Sequence, residues 1–393
     1  MAKRKKSAPA EQRDAARSAD KKPSTPRRPD AADAADKPSI AQLRRELDDV
    51  DRELLAAMNL RAELAQQIGK LKQADGQQVY DPQREAEVLE RARDASVGPL
   101  CGESVSHVFR ELISATRGLQ APTRVAYLGP EFTFSHLAAI ERFGQSAELV
   151  PVSTIAAVFE EVERGQAEFG VVPMENSTDG RVSDTLDCFS RTPVRICGEL
   201  PLRIHHCLLG IGKRDGVFRV YSKPQPLSQC RNWLAKHLPR AALREVASTA
   251  EAARLAKDDA ASAAVASAQA GVNYGLPILA KNIEDQADNI TRFAVIASET
   301  AARTGNDKTA LMLEIAHQPG ALADAMAIFK RNRLNMTWIE SFPIPGSRGR
   351  YLFFIEFVGH HGELRARRAV AALGKKSLRL EILGSYAQTE AVG

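Results

Sequence analysis

Long apolar runs are missing from this chain. Its 393 residues contain no stretch of about 18 apolar side chains, the length a membrane-crossing helix needs, so no membrane partner is expected. Cysteine is scarce: Cys101, Cys188, Cys197, Cys207 and Cys230 are odd in number, widely spaced and form no CxxC pair. That spacing argues against a disulfide framework or a structural metal site. The charged N-terminus is not followed by an apolar core, so no secretory leader is read, and a reduced, cytoplasmic setting is expected. No aromatic residue interleaves the N-terminal charges, which argues against nucleic-acid contact there.

The net charge of +5 belongs to one end. Residues 1–38 hold eleven Lys/Arg against six Asp/Glu, and the rest of the chain is neutral. That end, rich in Ala, Pro, Lys and Asp, reads as a disordered basic tail. The remaining length suits two or three domains, and a hydrophobic fraction of 44% suits a globular protein.

The stretch Val171–Val182 stands out. An apolar run, Phe169–Val172, reads as a buried strand that breaks at Pro173 and opens into Glu175, Asn176, Ser177, Thr178, Asp179 and Gly180. Polar groups at the carboxyl end of a strand are where open α/β sheets bind ligands; the competing reading is an ordinary turn.

Before it lies a helical segment. Ser39-x-x-Gln42 has the form of a capping box, and apolar residues at 40, 43, 47, 50, 54 and 58 predict one helix of about 35 residues. Such a helix needs a bundle or dimer partner for its stripe. Asp81-Pro82 predicts the start of a second helix, and a third is expected over 103–119. Arg61 and Lys72, three turns apart, share a face; the competing reading is a solvated face with ordinary ion pairs.

Residues 39–120 resemble the all-helical chorismate mutase family through Leu43-Arg44-x-x-Leu47-x-x-x-Asp51, Arg61-x-x-Leu64-Ala65-x-x-Ile68-Gly69-x-x-Lys72, Asp81-x-x-Arg84-Glu85, Thr116 and Gln120. The resemblance implies that Arg44 reaches the active site of a second subunit. It implies that Arg61 and Arg84 hold two carboxylates, that Lys72 and Gln120 bond the ether oxygen, and that Asp81, Glu85 and Thr116 bind hydroxyl and carboxylate groups. A pericyclic rearrangement needs no nucleophile, only a held conformer and cations where charge develops.

Residues 123–299 alternate strand and helix signals, predicting an α/β domain of two lobes around a cleft. Strands are expected at 125–128, 169–172, 200–209, 217–221, 263–266 and 293–296, and helices at 136–143, 154–164, 226–237 and 249–257. Polar clusters follow the strands: Thr133-Phe134-Ser135, Glu175-Asn176-Ser177-Thr178, Ser222 to Gln225 with Gln229, Ser248-Thr249, and Asn289-Ile290-Thr291-Arg292-Phe293. Caps and turns are the competing reading for each. The set, with Val172-Pro173-Met174-Glu175-Asn176-Ser177 and Thr291-Arg292-Phe293 foremost, resembles prephenate dehydratase, whose two-lobed fold is like that of periplasmic binding proteins. That resemblance makes Thr291 the group promoting loss of the ring hydroxyl. Glu175 or substrate-bound water remains open as the proton source. It also makes Glu175, Asn176, Ser177, Ser222, Gln225, Gln229, Ser248, Thr249, Arg292 and Phe293 site residues. The family usually has Gly at Phe132 and His at Lys223.

The last segment, 308–389, has a βαββαβ order, ferredoxin-like and α+β, with no catalytic cluster. It resembles the ACT-type regulatory domain. Gly320-Ala321-Leu322 matches that family's first ligand loop, and Glu340-Ser341-Phe342-Pro343 its Glu-Ser-Arg-Pro motif with Phe in place of Arg. The resemblance implies phenylalanine held by Gly320, Ala321, Leu322, Asn335, Met336, Glu340 and Ser341, with Trp338 adding apolar surface. A structural or dimerising role is the alternative. Together the segments resemble the bifunctional chorismate mutase–prephenate dehydratases, implying no metal or organic cofactor and a homodimer or higher oligomer. The competing functions are arogenate dehydration and a catalytically silent amino-acid sensor.

Overall fold

A computed structural model describes residues 38–75, 80–120, 122–178, 180–344 and 350–392; nearly all of the basic tail lies outside them. The chain divides into two compact units between Ala56 and Ala57, inside the first helix, α1 (Ile40–Ala74). The capping box forms as read. Ser39 N donates to Gln42 Oε1 (2.9 Å) and Gln42 N to Ser39 Oγ (3.2 Å), satisfying donors a helix start leaves open. On the first unit's part of α1, Leu43, Leu47, Val50 and Leu54 are all exposed. No helix among the described residues is long and apolar enough to cross a membrane.

In the second unit α1 is followed by α2 (Pro82–Ala95) and α3 (Gly102–Gly118). The Asp81 carboxylate accepts from Arg84 N (3.0 Å) and Pro82 takes the first helical position, where a missing N–H costs no hydrogen bond.

Two α/β lobes come next. The first contains β1 (Arg124–Leu128), α4 (Phe134–Phe143), β2 (Glu148–Val152), α5 (Ile155–Glu163), β3 (Phe169–Asn176), β4 (Gly180–Arg181), α6 (Ser183–Arg191) and β5 (Arg195–Arg203). The second contains β6 (Cys207–Leu209), β7 (Arg219–Ser222), α7 (Pro224–Gln229), α8 (Arg231–His237), β8 (Ala242–Glu245), α9 (Thr249–Ala256), β9 (Ser262–Ala266), α10 (Ala268–Tyr274) and β10 (Ile278–Ala280). The chain then returns to the first lobe as β11 (Ile290–Ala297), antiparallel to both β3 and β5. The sheets run β2-β1-β3-β11-β5, with β4 on β3, and β10-β6-β9-β7-β8. The connections β5 to β6 and β10 to β11 join the lobes.

Three expected elements are corrected. β3 does not stop at Pro173 but runs to Asn176. Its pairing with β1 ends at Val171, and the ladder to β11 shifts register between Arg292 and Phe293; proline is tolerated in a strand at such irregular positions. The expected strand 200–209 is two, because the chain changes sheets at Ile204–His206. The expected helix 226–237 is also two, broken at Cys230 (φ −111°, ψ 14°).

The remaining segment is β12 (Asp307–Ile315), α11 (Ala321–Arg331), β13 (Met336–Pro343), β14 (Tyr351–Val358), α12 (Leu364–Gly374) and β15 (Ser377–Ala387). Its antiparallel sheet runs β13-β14-β12-β15. β12 is apolar on both faces because both are covered. Leu311 and Leu313 join Ile328, Phe329, Phe357 and Leu373 in one core. Ala310 and Met312 join Phe354 and Tyr386 against Val172, Met174, Ala294 and Ile296 of the first lobe. The strands that carry the first lobe's polar cluster are thus backed directly by this sheet.

Candidate active sites

In the helical segment Arg61 Nη1 donates to Thr116 Oγ1 (3.0 Å), and the Thr116 hydroxyl points to the carbonyls of Leu112 and Ile113 (2.9 and 3.0 Å). A methyl group added at Gly69 would collide with the Gln120 side chain, so Gly69 lets Gln120 lie against α1. Lys72 Nζ stands 3.6 Å from Asp81 Oδ2, and both line a cavity of about 1210 Å³. Burial lowers the Arg61 pKa while the Glu85 carboxylate opposes that shift. Arg61, Lys72, Asp81, Thr116 and Gln120 therefore gather along the second unit's part of α1. Arg84 does not join them; it is exposed and paired with Glu87 (3.0 Å). Glu85 is held by the buried Arg117 (2.5 Å), whose other nitrogen donates to Phe143 O (2.6 Å). Arg117 also lies over the Tyr80 ring, 4.8 Å from its centroid, so it ties α3 to the first lobe. Arg44 belongs to the other compact unit.

The second cluster forms where the lobes join. Asn176, at the end of β3, accepts at Oδ1 from Thr178 N (2.9 Å), and that backbone donor fixes which end of the amide is oxygen. Its Nδ2 then donates to Thr291 Oγ1 (2.8 Å) and Asn289 Oδ1 (3.0 Å). Asn289 Nδ2 donates to Gln229 Oε1 (3.0 Å), which also accepts from His206 Nε2 (2.9 Å). Because Gln229 Oε1 can only accept, His206 carries its proton on Nε2. Burial lowers the His206 pKa, which favours the neutral ring, and Nδ1 has no hydrogen-bond partner among the described residues. Ser177 Oγ donates to Asp288 O and accepts from Ile290 N (both 3.0 Å). Asn176, Ser177, Gln229 and Thr291 were read from sequence. His206 was not, although its place between two apolar runs marks a chain crossing.

Several expected site residues do other work. Ser222 is fully buried and donates to Val265 O (2.6 Å), so its hydroxyl is spent on β9. Ser248 caps α9, accepting from Glu251 N (2.9 Å), and Thr249 is buried in its first turn. Gln225 is exposed on α7. Phe293 is buried in the first lobe's core with Tyr127 and Val171. Phe132 takes a left-handed backbone (φ 64°), the conformation glycine adopts most readily. Its ring packs on Tyr274 of the second lobe at 6.2 Å.

Arg292 departs most from expectation. Its guanidinium pairs with Glu175 (3.1 Å), Glu199 (3.3 Å) and Glu356 (2.5 Å) and lies over the Trp338 ring at 4.8 Å. Lys308 Nζ joins at Glu199 (3.0 Å) and Tyr386 donates to Glu356 (2.8 Å). Burial opposes the charge, but Glu356 and Glu199 outweigh it and raise the Arg292 pKa. Breaking such a buried pair by removing one partner typically costs about 3–5 kcal/mol. Trp338 is committed here, against Phe354 and Arg292, rather than to a ligand.

In the C-terminal sheet Gly320 has φ 81° and, among the described residues, no neighbour that a Cβ would meet. By register, Phe342 lies level with Leu352 and Glu314, while Met336 lies level with Phe357 and Thr309. Glu340 and Ser341 thus share the Gly320 end of the sheet, and Asn335 and Met336 sit at the opposite end. Ala321 and Met336 both pack on the core beneath α11, whereas Leu322 is 39% exposed. Among the described residues no group of His, Cys, Asp and Glu could hold a metal ion.

A helical mutase cluster fused to a two-lobed α/β lyase is the class these features define. Residues 43–121 match the chorismate mutase type II family and residues 125–301 the prephenate dehydratase family. The bifunctional chorismate mutase/prephenate dehydratase of Aquifex aeolicus is 42% identical over 352 residues, covering 88% of this chain and 97% of the relative. That of Pseudomonas aeruginosa is 41% identical, covering 90% and 98%. The solved prephenate dehydratase of Arthrobacter aurescens in complex with L-Phe is 31% identical, with a TM-score of 0.63 over 67% of this chain and 90% of that one. The chain belongs to the bifunctional chorismate mutase/prephenate dehydratase family. It rearranges chorismate to prephenate and converts prephenate to phenylpyruvate with loss of water and carbon dioxide.

Proposed function

We propose that the two reactions run at the two clusters described above: rearrangement in the helical segment (39–120), dehydration in the α/β segment (123–299). Arg61, Lys72 and Gln120 would hold the dianion and meet the charge that grows on the ether oxygen as the C–O bond breaks. Arg44 of a second copy would complete the site, which fits the exposed stripe on α1 and a homodimer.

For dehydration, the electron pair of the C–CO2⁻ bond moves into the ring, carbon dioxide leaves, and the ring hydroxyl is expelled as water with a proton that solvent supplies through a substrate-bound water. The observation that carries this reading is the Asn176 Nδ2 donation to Thr291 Oγ1 (2.8 Å). It uses a lone pair of the threonine oxygen and leaves its O–H to donate to the departing hydroxyl. Aromatisation supplies the driving force.

The C-terminal segment (308–389) reads as a ferredoxin-like ACT domain that binds phenylalanine and lowers dehydratase turnover, supported by the left-handed Gly320 in the loop after β12, toward whose end the Glu340-Ser341-Phe342 run of β13 leads. Asn335 and Met336, at the far end of the sheet, would come from a second copy. The setting is cytoplasmic and the partners are small molecules. Calorimetric titration with phenylalanine beside a phenylpyruvate assay tests this: binding with inhibition is expected, and no heat of binding rejects the sensor.

A further inference from the structure

The segment that carries Asn176 and Ser177 also touches the motif Glu340-Ser341-Phe342-Pro343. β4 folds back on β3, pairing Glu175 with Arg181 and Asn176 with Gly180. The Arg181 guanidinium forms an ion pair with Glu340 and donates to Ser341 O (3.1 Å). Phe342 leaves that motif without a cation of its own, and Arg181 supplies one from the dehydratase side. A pocket of about 340 Å³ lined by Arg181, Asp184, Phe342 and Pro343 lies beside the contact.

Two guanidinium groups therefore join the catalytic strands to the C-terminal sheet, and burial separates them. Arg292 is 12% exposed and its partners Glu199 and Glu356 only 1%; opening that knot would strand buried charges. Arg181 and Glu340 are 34% and 28% exposed, so water can solvate both once they part. A ligand shifts an equilibrium only by its differential affinity for the two states, which suffices for the half-exposed pair and not for the knot.

We infer that Arg181 is the coupling residue of this enzyme. It carries the phenylalanine-bound state of Glu340-Ser341 to the β3–β4 hairpin, which in the unliganded enzyme keeps Asn176, the amide that holds Thr291, in place through its backbone ladder alone. Arg292 is the fixed pivot beside it. The inference rests on the reading of the C-terminal segment as a phenylalanine sensor.

The full-length variants Arg181→Gln and Arg181→Lys test it by phenylalanine titration calorimetry, dehydratase turnover with and without phenylalanine, and mutase turnover as a check on folding. Arg181→Gln should bind phenylalanine and turn over prephenate within about threefold of the parent, yet need about tenfold more phenylalanine for half-inhibition, a typical size for a coupling contact. Arg181→Lys, which keeps the charge but not the fork, should fall between. Unchanged half-inhibition in Arg181→Gln overturns the inference. Loss of phenylalanine binding in that variant overturns it too, by making Arg181 a ligand group. If the unaltered protein binds no phenylalanine, the sensor reading fails and takes this inference with it.

Discussion

Thr291 and Arg292 are neighbours on β11 whose side chains leave the strand in opposite directions. Thr291 accepts from Asn176 where the lobes join (2.8 Å), while Arg292 pairs with Glu356 of the C-terminal sheet (2.5 Å). The partner strand repeats the division: Asn176 stands opposite Thr291 and Glu175 opposite Arg292. Alternation along a strand sends neighbouring side chains of one motif to two places, the lobe junction on one face and the C-terminal sheet on the other.

Arg292→Gln is accordingly expected to act on stability. Among the described residues it leaves the buried Glu356 and Glu199 paired with Lys308 alone, a loss of about 3 kcal/mol or more. Denaturant unfolding measures it. A change under about 1 kcal/mol would place the side chain in solvent, where such pairs are worth little.

Glu356 gives the knot a pH signature. Burial raises its pKa, but Arg292 and Lys308 outweigh burial and hold it below the usual 4.5. A carboxyl whose folded pKa is depressed binds its proton more readily when unfolded. Its contribution is therefore full above about pH 4.5 and is lost as pH falls through the folded value. The stability gap between the parent and Glu356→Gln should shrink from about pH 6 to about pH 3. A constant gap would contradict the assignment.

Phe132 tests the backbone. Phe132→Ala and Phe132→Gly both remove the ring that meets Tyr274, but only alanine keeps a Cβ at φ 64°. The glycine variant should be the more stable by about 1 kcal/mol, the reverse of the usual order inside regular structure. Equal or better stability for alanine would exclude the left-handed conformation.

What the sequence made legible was local. The Ser39–Gln42 box, the Asp81-Pro82 start and the βαββαβ order followed from capping and periodicity. The polar groups near Thr291 followed from their place after apolar runs. Less legible was the far side of each strand. Nothing local told that Arg292 meets Glu199 and Glu356, which lie 93 and 64 residues away, or that Ser222 serves β9. Pro173 suggested a strand end because its cost depends on whether a neighbour needs its N–H, a tertiary fact. His206 drew no notice because its role comes from Gln229 and the crossing between lobes.

Lys72→Ala should separate the activities. Losing a cation that acts on developing charge costs about 3 kcal/mol, roughly a hundredfold in mutase turnover. Dehydration of supplied prephenate should stay near the parent value, because the partners seen for Thr291 among the described residues come from the α/β segment. Equal loss of both activities in a folded protein would mean the sites are not separate.

The most direct test of the central claim follows chorismate through Thr291→Ala by product chromatography. The account predicts that prephenate forms at the parent rate and accumulates, with phenylpyruvate formation lost, while the parent protein carries the same chorismate on to phenylpyruvate. Phenylpyruvate made by Thr291→Ala at close to the parent rate would contradict it.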